Sequence, residues 1–278
     1  AFALEIRNNL GTNFCADEHS WLWPLADYLR GKYNTIYDGL GGSIFDRGFQ
    51  LTETRLDLCE SGRLHELADD LMNKEETLSM LSESLTTLCP RELAISHLVE
   101  ELRIHIGTPN PIDSFLFWTR TRRESVLSSY RVLDGSHTVF CPFIDLALVD
   151  HLASLPGRMM LDHNFHDETI HRAFPQYAHI PFGPKGDPLQ MSWKQSWQLT
   201  GELSALLATR QKSHFIKYSF LIPRMMRCLI DKKYSDSILW IGQFSLYFLQ
   251  LEALPQQLEQ FNRQHPLPPA TKTNTIPR

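Results

Sequence analysis

Residues 19–48 read HSWLWPLADYLRGKYNTIYDGLGGSIFDRG and contain three patterns in succession. Apolar residues recur with helical spacing over residues 18–30, where Asp17 is suited to cap the helix and Gly31 to end it. Residues 33–39, YNTIYDG, are rich in aromatic and β-branched side chains, which favour a strand. The stretch therefore predicts a helix, a short strand and then a loop.

The loop is the glycine-rich turn DGLGGS of residues 38–43. Backbone N–H groups in such a turn converge on anions such as phosphate, and ligands of α/β sheets bind at the carboxyl ends of strands. The turn does not fit G-x-G-x-x-G, and the sequence contains no G-x-x-x-x-G-K-[ST]. Two interpretations stay open: a loop beside a bound phosphate, or a tight turn without a ligand.

The rest of the chain has mainly helical periodicity, so the predicted fold is mainly α with at most one or two short strands. Predicted helices cover residues 53–74, 90–106, 113–133, 143–155, 188–209, 212–231, 235–251 and 254–264. A domain boundary is predicted near residue 184, which gives regions 1–184 and 185–264. The proline-rich tail, residues 265–278, is predicted to be disordered.

Composition argues against several classes of function. With 27 basic and 32 acidic residues the formal net charge is −5, which disfavours nucleic acid or an anionic membrane as the main partner. The longest apolar stretch, residues 237–251, is shorter than the roughly 20 residues that a membrane span requires. The 5 cysteines are scattered without a C-x-x-C motif, which indicates reduced thiols and a cytoplasmic location.

Arginines are concentrated on the predicted helix of residues 113–133. They are Arg120, Arg122, Arg123 and Arg131. Arg120 and Arg123 are three residues apart and are expected to share a face, from which guanidinium groups could hold phosphates. The alternative is a solvated face that pairs with Glu124 and Asp134.

Residues 161–174, LDHNFHDETIHRAF, are the most metal-like part of the sequence because imidazoles and carboxylates lie close together. There is no H-E-x-x-H, and the candidate ligands do not share one helical face. Asp162 or Asp167 is as well suited to cap a helix, and Asp145 is predicted to cap the helix that follows it. No metal site is predicted here.

Three further segments complete an ordered set of landmarks with the glycine turn. They are FWTRTRRESVLSSYRV (117–132), CPFIDLALVDHLASLP (141–156) and IHRAFPQYAHIP (170–181). Over residues 17–182 their order and spacing resemble the C-terminal synthetase domain of asparagine synthetases. The resemblance implies the helical C-terminal portion of an adenine-nucleotide α-hydrolase-like fold.

The resemblance also implies a reaction. ATP and Mg²⁺ would activate a small-molecule carboxylate as an acyl-adenylate, and ammonia or another amine would displace AMP. The implied nucleotide-binding residues are Asp38, Gly39, Gly41, Gly42, Ser43, Arg120 and Arg123, with Arg122 as a further phosphate partner. The resemblance assigns no catalytic residue in this chain.

The sequence departs from the family pattern at several points. The S-G-G-x-D-S phosphate loop is absent, Ser43 replaces an acid of the turn, and Thr138 stands where a Glu is common. Asn164 lies near the place of an expected Lys. We therefore expect a fragment of a longer protein that is inactive alone, with an N-terminal segment or partner chain supplying the loop. The alternative is a catalytically silent scaffold or partner-binding domain.

Overall fold

A computed structural model describes residues 2–14, 19–41, 48, 50–72, 79–133, 138–180, 192–209 and 213–264, without the side chains of 209 and 257–264. Its helices are α1 (Phe2–Gly11), α2 (Leu22–Leu29), α3 (Glu53–Glu60), α4 (Leu64–Leu71), α5 (Glu83–Leu88), α6 (Arg91–His105), α7 (Pro111–Leu116), α8 (Arg122–Ser125), α9 (Leu146–Ala153), α10 (Phe165–Ala173), α11 (Trp193–Thr209), α12 (Tyr218–Ile230) and α13 (Ser237–Gln264). The strands are β1 (Thr35–Tyr37) and β2 (Thr138–Phe140).

Residues 111–133 form one continuous helical segment, which we call the arginine helix. It contains α7 and α8, and two π-helical stretches lie at Phe117–Thr121 and Val126–Leu133. Short 3₁₀ turns lie at Pro142–Ile144, Gly157–Met160 and Pro175–Tyr177. The described residues are thus mainly helical, as predicted.

The strands found in the described residues form one two-stranded parallel sheet. Thr35 pairs with Thr138, and Tyr37 pairs with Phe140. Asn34 O accepts a hydrogen bond of 2.8 Å from the Thr138 N–H, and Phe140 O accepts one of 2.8 Å from the Asp38 N–H. The limit of one or two short strands is confirmed, and β2 is the strand that periodicity did not locate.

Several predicted helix bounds were wrong. Residues 53–74 contain two helices, α3 and α4, because Gly62 takes a left-handed φ of 72° after Ser61 and turns the chain. Residues 235–251 and 254–264 belong to one helix, α13, with Pro255 inside it. Helix α2 begins at Leu22 rather than residue 18, and its predicted cap, Asp17, lies outside the described residues.

The last three helices share a core with α1, a helix that the sequence did not predict. Phe2 is 2% exposed and packs in the same cluster as Leu203, Leu221 and Ile241. Met80 also belongs to this cluster, and the next residue, Leu81, pairs with Ile216 in an isolated antiparallel β-bridge. The boundary predicted near residue 184 and the tail of residues 265–278 lie outside the described residues, so both stay predictions.

A second core joins α3, α4, α6 and α7, and it contains Leu67, Ile95 and Ile112. A third core lies behind the sheet, where Leu22 and Ala26 of α2 and Val132 of the arginine helix pack against Val139 of β2. This third core fixes α2 and the arginine helix relative to both strands. It therefore positions the carboxyl edge of the sheet.

The described cysteines are free thiols. They are Cys59, Cys89, Cys141 and Cys228. Burial raises the pKa of the Cys228 thiol to about 11, so this group is uncharged at neutral pH. Along the described ranges, no helix combines the length and the apolar composition that crossing a membrane requires.

A buried histidine in the second core gives a prediction about pH. His105 is 5% exposed, its Nδ1 lies 2.9 Å from Oγ of Ser114, and burial lowers its pKa from 6.5 although the Glu101 charge opposes the shift. Below pH 6.5 the unfolded chain therefore takes up a proton that the folded chain resists. We expect the free energy of unfolding to fall between pH 7.5 and 5.5, and to fall less in His105→Gln, by urea denaturation at both pH values.

Equal pH dependence of the wild-type chain and His105→Gln would contradict this assignment. His97 offers a matched control because its side chain is 70% exposed on the same helix. His97→Gln is expected to keep the pH dependence of the wild-type chain.

Candidate functional site

The carboxyl ends of the two parallel strands bring two sequence landmarks to the same edge of the sheet. Asp38, Gly39 and Gly41 follow β1, while Cys141 and the 3₁₀ turn Pro142–Ile144 follow β2. This edge is the place where ligands bind in parallel α/β sheets. The predicted turn residues and the P-F-I-D segment are thus neighbours in space although about 100 residues separate them.

Asp38 is held on three sides. Its N–H donates to Phe140 O, its Oδ1 accepts from the Leu40 N–H at 3.1 Å, and its Oδ2 accepts from the Ser129 hydroxyl at 2.7 Å. The Leu40 bond closes an Asx-type turn, and the Ser129 bond ties this turn to the arginine helix. Asp38 therefore sets the shape of the turn through its own contacts.

Gly41 brings a third landmark to this edge. It takes a left-handed φ of 94°, which favours glycine. A Cβ at this position would lie 3.0 Å from Cγ2 of Ile144 and 3.9 Å from Cγ2 of Thr121. The turn, the P-F-I-D segment and the arginine helix therefore meet at Gly41. Gly42 and Ser43, the other predicted turn residues, lie outside the described residues.

The arginines differ in what they contact. Nη1 of Arg120 lies 3.1 Å from Oε2 of Glu124, and the Arg123 guanidinium donates from Nε to Thr119 O at 2.7 Å. Arg122 stacks on the Trp118 ring, with 4.7 Å from its Cζ to the ring centroid. The alternative of a solvated arginine face that pairs with Glu124 and Asp134 is wrong at Glu124: Arg120 does pair with it, but Glu124 is buried. Asp134 lies outside the described residues.

Glu124 is the buried carboxylate of the site. Its side chain is 4% exposed, and Oε1 lies 3.0 Å from Nδ1 of His19, in an ion-pair contact whose orientation is not that of a hydrogen bond. His19 precedes α2, so this contact joins the start of α2 to the arginine helix, whereas the Arg120 contact lies within that helix. No pattern in the sequence indicated that Glu124, which lies among arginines and hydroxyl residues, would face inward.

The inward face of the arginine helix is polar over two turns, which sequence reasoning missed. Its buried polar residues are Thr121, Glu124, Ser125, Ser128 and Ser129. Val126 on the same helix is 53% exposed. This arrangement inverts the usual amphipathic pattern, in which the apolar face is buried. The two π-helical stretches change which residues share a face, and π-helical turns are frequent at functional sites.

Cys141 and Tyr130 lie on the β2 side of the site. A hydrogen bond with the Cys141 thiol raises the pKa of the Tyr130 hydroxyl, and burial and the Asp38 charge act in the same direction. Cys141 itself is 6% exposed. The tyrosine is therefore a neutral hydroxyl at physiological pH.

Asp145 caps α9, as predicted: its Oδ1 accepts from the N–H groups of Ala147 and Leu148 at 3.0 and 3.2 Å. Asp162 makes a similar bond of 3.0 Å with the Asn164 N–H just before α10. Among the residues that the structure describes, no group of three or more His, Cys, Asp or Glu side chains is placed to hold a metal ion.

The comparisons with known proteins add no relative. No protein-family model, curated protein or solved structure matches this chain. The resemblance to asparagine synthetases therefore stays a prediction that rests on the order and spacing of the quoted motifs.

Proposed function

We propose that this chain is part of an ATP-dependent amide-forming synthetase of the asparagine synthetase type, located in the cytoplasm. The nucleotide, with Mg²⁺, would bind at the carboxyl edge of the sheet, against Asp38, Gly39 and Gly41. A carboxylate would be adenylated there, and ammonia or an amine would then displace AMP. The protein's contribution would be to position the reactants and to stabilise phosphate charge.

The observation that carries the proposal is the meeting of three distant landmarks at Gly41. Its Cβ position lies within 3.9 Å of Ile144, Phe143 and Thr121, which belong to two other quoted motifs. Motifs that matched by chance would have no reason to converge on one ligand-binding edge. Arg120 is the arginine best placed to contribute, since it directly precedes Thr121, which lies near Gly41.

One face of the sheet is exposed in the described structure, which supports the proposal that a further segment or chain packs on it. Parallel sheets are normally covered on both faces, but Tyr37 is 74% exposed and Phe140 48% exposed. Their rings stack at 5.5 Å on the face opposite the third core. A segment that supplies the phosphate loop would also cover this face. We therefore propose that residues 1–278 do not catalyse the reaction alone.

A catalytically silent scaffold is the second candidate, and a specific observation favours it. Both carboxylate oxygens of Asp38 accept hydrogen bonds from the protein, and the Arg123 guanidinium donates to its own helix. These contacts would stabilise the turn without any ligand. In that case the sheet edge would serve the fold and a partner, and nucleotide would not bind.

Calorimetric titration with Mg-ATP tests the proposal. We expect a Kd below about 1 mM, which corresponds to roughly 4 kcal/mol of binding free energy. Asp38→Asn leaves only one oxygen to accept from the Leu40 N–H and the Ser129 hydroxyl, so the turn would lose its shape, and binding is expected to weaken by about tenfold.

Asp150→Asn is the matched control, since Asp150 is exposed on α9 and outside the turn. It is expected to bind Mg-ATP like the wild-type chain. Absence of binding at millimolar Mg-ATP, or equal affinity in Asp38→Asn, would exclude a nucleotide site formed at this edge by residues 1–278 alone and would favour the scaffold.

A further inference from the structure

The buried face of the arginine helix has hydroxyl groups that the fold does not use. Thr121, Ser125 and Ser128 are 2%, 1% and 0% exposed. Within the described part of the chain, Oγ1 of Thr121 and Oγ of both serines have no hydrogen-bond partner. Buried polar groups are nearly always hydrogen-bonded in native proteins, so three on one helix face indicate a missing partner.

These hydroxyls are all buried on the inward side of the arginine helix. Ser125 and Ser128 follow Thr121 by four and seven residues, and Cγ2 of Thr121 lies 3.9 Å from the Cβ position of Gly41. At the other end of the face, Ser129 donates to Asp38. Ser125 and Ser128 therefore lie on the arginine helix between the two residues that contact the turn, Thr121 near Gly41 and Ser129 at Asp38.

Neither carboxylate beside this row of hydroxyls accepts a hydrogen bond from Thr121, Ser125 or Ser128. The Leu40 N–H and the Ser129 hydroxyl occupy the two oxygens of Asp38. Basic nitrogens of His19 and Arg120 face the two oxygens of Glu124 at 3.0 and 3.1 Å. Three buried hydroxyl donors therefore remain without an acceptor among the described residues. A ligand that brings acceptor oxygens would satisfy them, and the guanidinium of Arg120 favours a negatively charged one.

We propose that Thr121, Ser125 and Ser128 form an oxyanion subsite, in which their hydroxyls donate to a phosphate or a carboxylate group. The identity of the bound group, phosphate or carboxylate, rests on the proposed function, because ATP carries phosphates and the second substrate carries a carboxylate. It does not depend on the amide-forming step. Arg120, half-exposed at the rim, adds positive charge beside the hydroxyls.

Calorimetry and thermal unfolding of the 278-residue chain with simple anions test the subsite. The probes are sodium pyrophosphate, sodium phosphate and sodium succinate, each against sodium chloride at equal ionic strength. We expect at least one of these anions to bind and to raise Tm, while chloride does not. In the double variant Thr121→Val/Ser128→Ala the affinity for that anion is expected to fall by about tenfold or more.

The same variant separates binding from folding. Because the lost hydroxyls have no partner in the described structure, the double variant is expected to unfold without anion at a Tm equal to or above that of the wild-type chain. Ser245→Ala is the control: Ser245 is fully buried and donates to Ile241 O at 2.7 Å, so this variant should lose stability and keep anion binding.

Each result decides between the alternatives. Binding of pyrophosphate or phosphate alone assigns the subsite to the nucleotide, and binding of succinate alone assigns it to the carboxylate substrate. No binding of any probe, or unchanged affinity in the double variant, overturns the subsite. If phosphate binds through these hydroxyls while Mg-ATP does not bind, the subsite stands and the nucleotide proposal fails.

Discussion

Phe2→Ala is expected to lower the free energy of unfolding by about 3–5 kcal/mol, the usual cost of truncating a buried phenylalanine. The Phe2 ring is 2% exposed in the core of α11, α12 and α13. It packs directly on Gly242, where an added Cβ would lie 2.2 Å from two ring carbons. The truncation would open a cavity that the neighbouring helices can fill only in part. Urea denaturation of both chains measures the loss.

Phe174→Ala is the matched control, because Phe174 is 51% exposed after α10. Its effect is expected to stay within about 0.5 kcal/mol. Gly242→Ala should destabilise the chain by about 1–3 kcal/mol through overpacking against the same ring. A loss below about 1 kcal/mol in Phe2→Ala would show that α1 does not belong to the core of the last three helices.

Arg120→Met is expected to lower the free energy of unfolding by about 2–3 kcal/mol. The substitution leaves the Glu124 carboxylate, whose side chain is 4% exposed, with His19 as its remaining basic contact. Breaking a fully buried ion pair costs about 3–5 kcal/mol. The expected loss is smaller because the Arg120 side chain is 39% exposed and water screens it. Urea denaturation at neutral pH measures it.

Arg123→Met is the control for Arg120→Met, because Arg123 lies on the surface of the same helix. The Arg123 guanidinium is exposed and donates to Thr119 O within its own helix. We expect its replacement to change stability by no more than about 0.5 kcal/mol. Equal losses in both variants would contradict the view that Glu124 makes Arg120 the structural cation. A stable Arg120→Met chain would show that the buried Glu124 carboxylate does not need the Arg120 contact.

Local signals in the sequence were sufficient for part of the fold. The β-branched and aromatic run before residue 38 predicted β1, and the position of Asp145 before an apolar repeat predicted its capping bonds. Helix α1 was missed because its partners, including Ile241 and Leu246, lie more than 230 residues away in sequence. Strand β2 was missed for the same reason, because a three-residue strand forms only through pairing with β1, about 100 residues away in sequence.

The residues of the candidate site could be predicted from the sequence only in part. Sequence patterns placed the glycine turn and the P-F-I-D segment, and the geometry brings both together at Gly41. The buried hydroxyl row was not predicted, because serine, threonine and arginine side chains are mostly exposed to solvent in folded proteins. Periodicity of 3.6 residues also fails where i→i+5 hydrogen bonding shifts the shared face, as in Val126–Leu133.

Hydrogen exchange of the chain with and without Mg-ATP tests the central claim most directly, because it locates the nucleotide as well as detecting it. The account predicts slower exchange of backbone amides at residues 38–41 and 143–145, with no change in α12 and α13. Protection confined to other parts of the chain, or no protection at millimolar Mg-ATP, would contradict a nucleotide site at the carboxyl edge of the sheet.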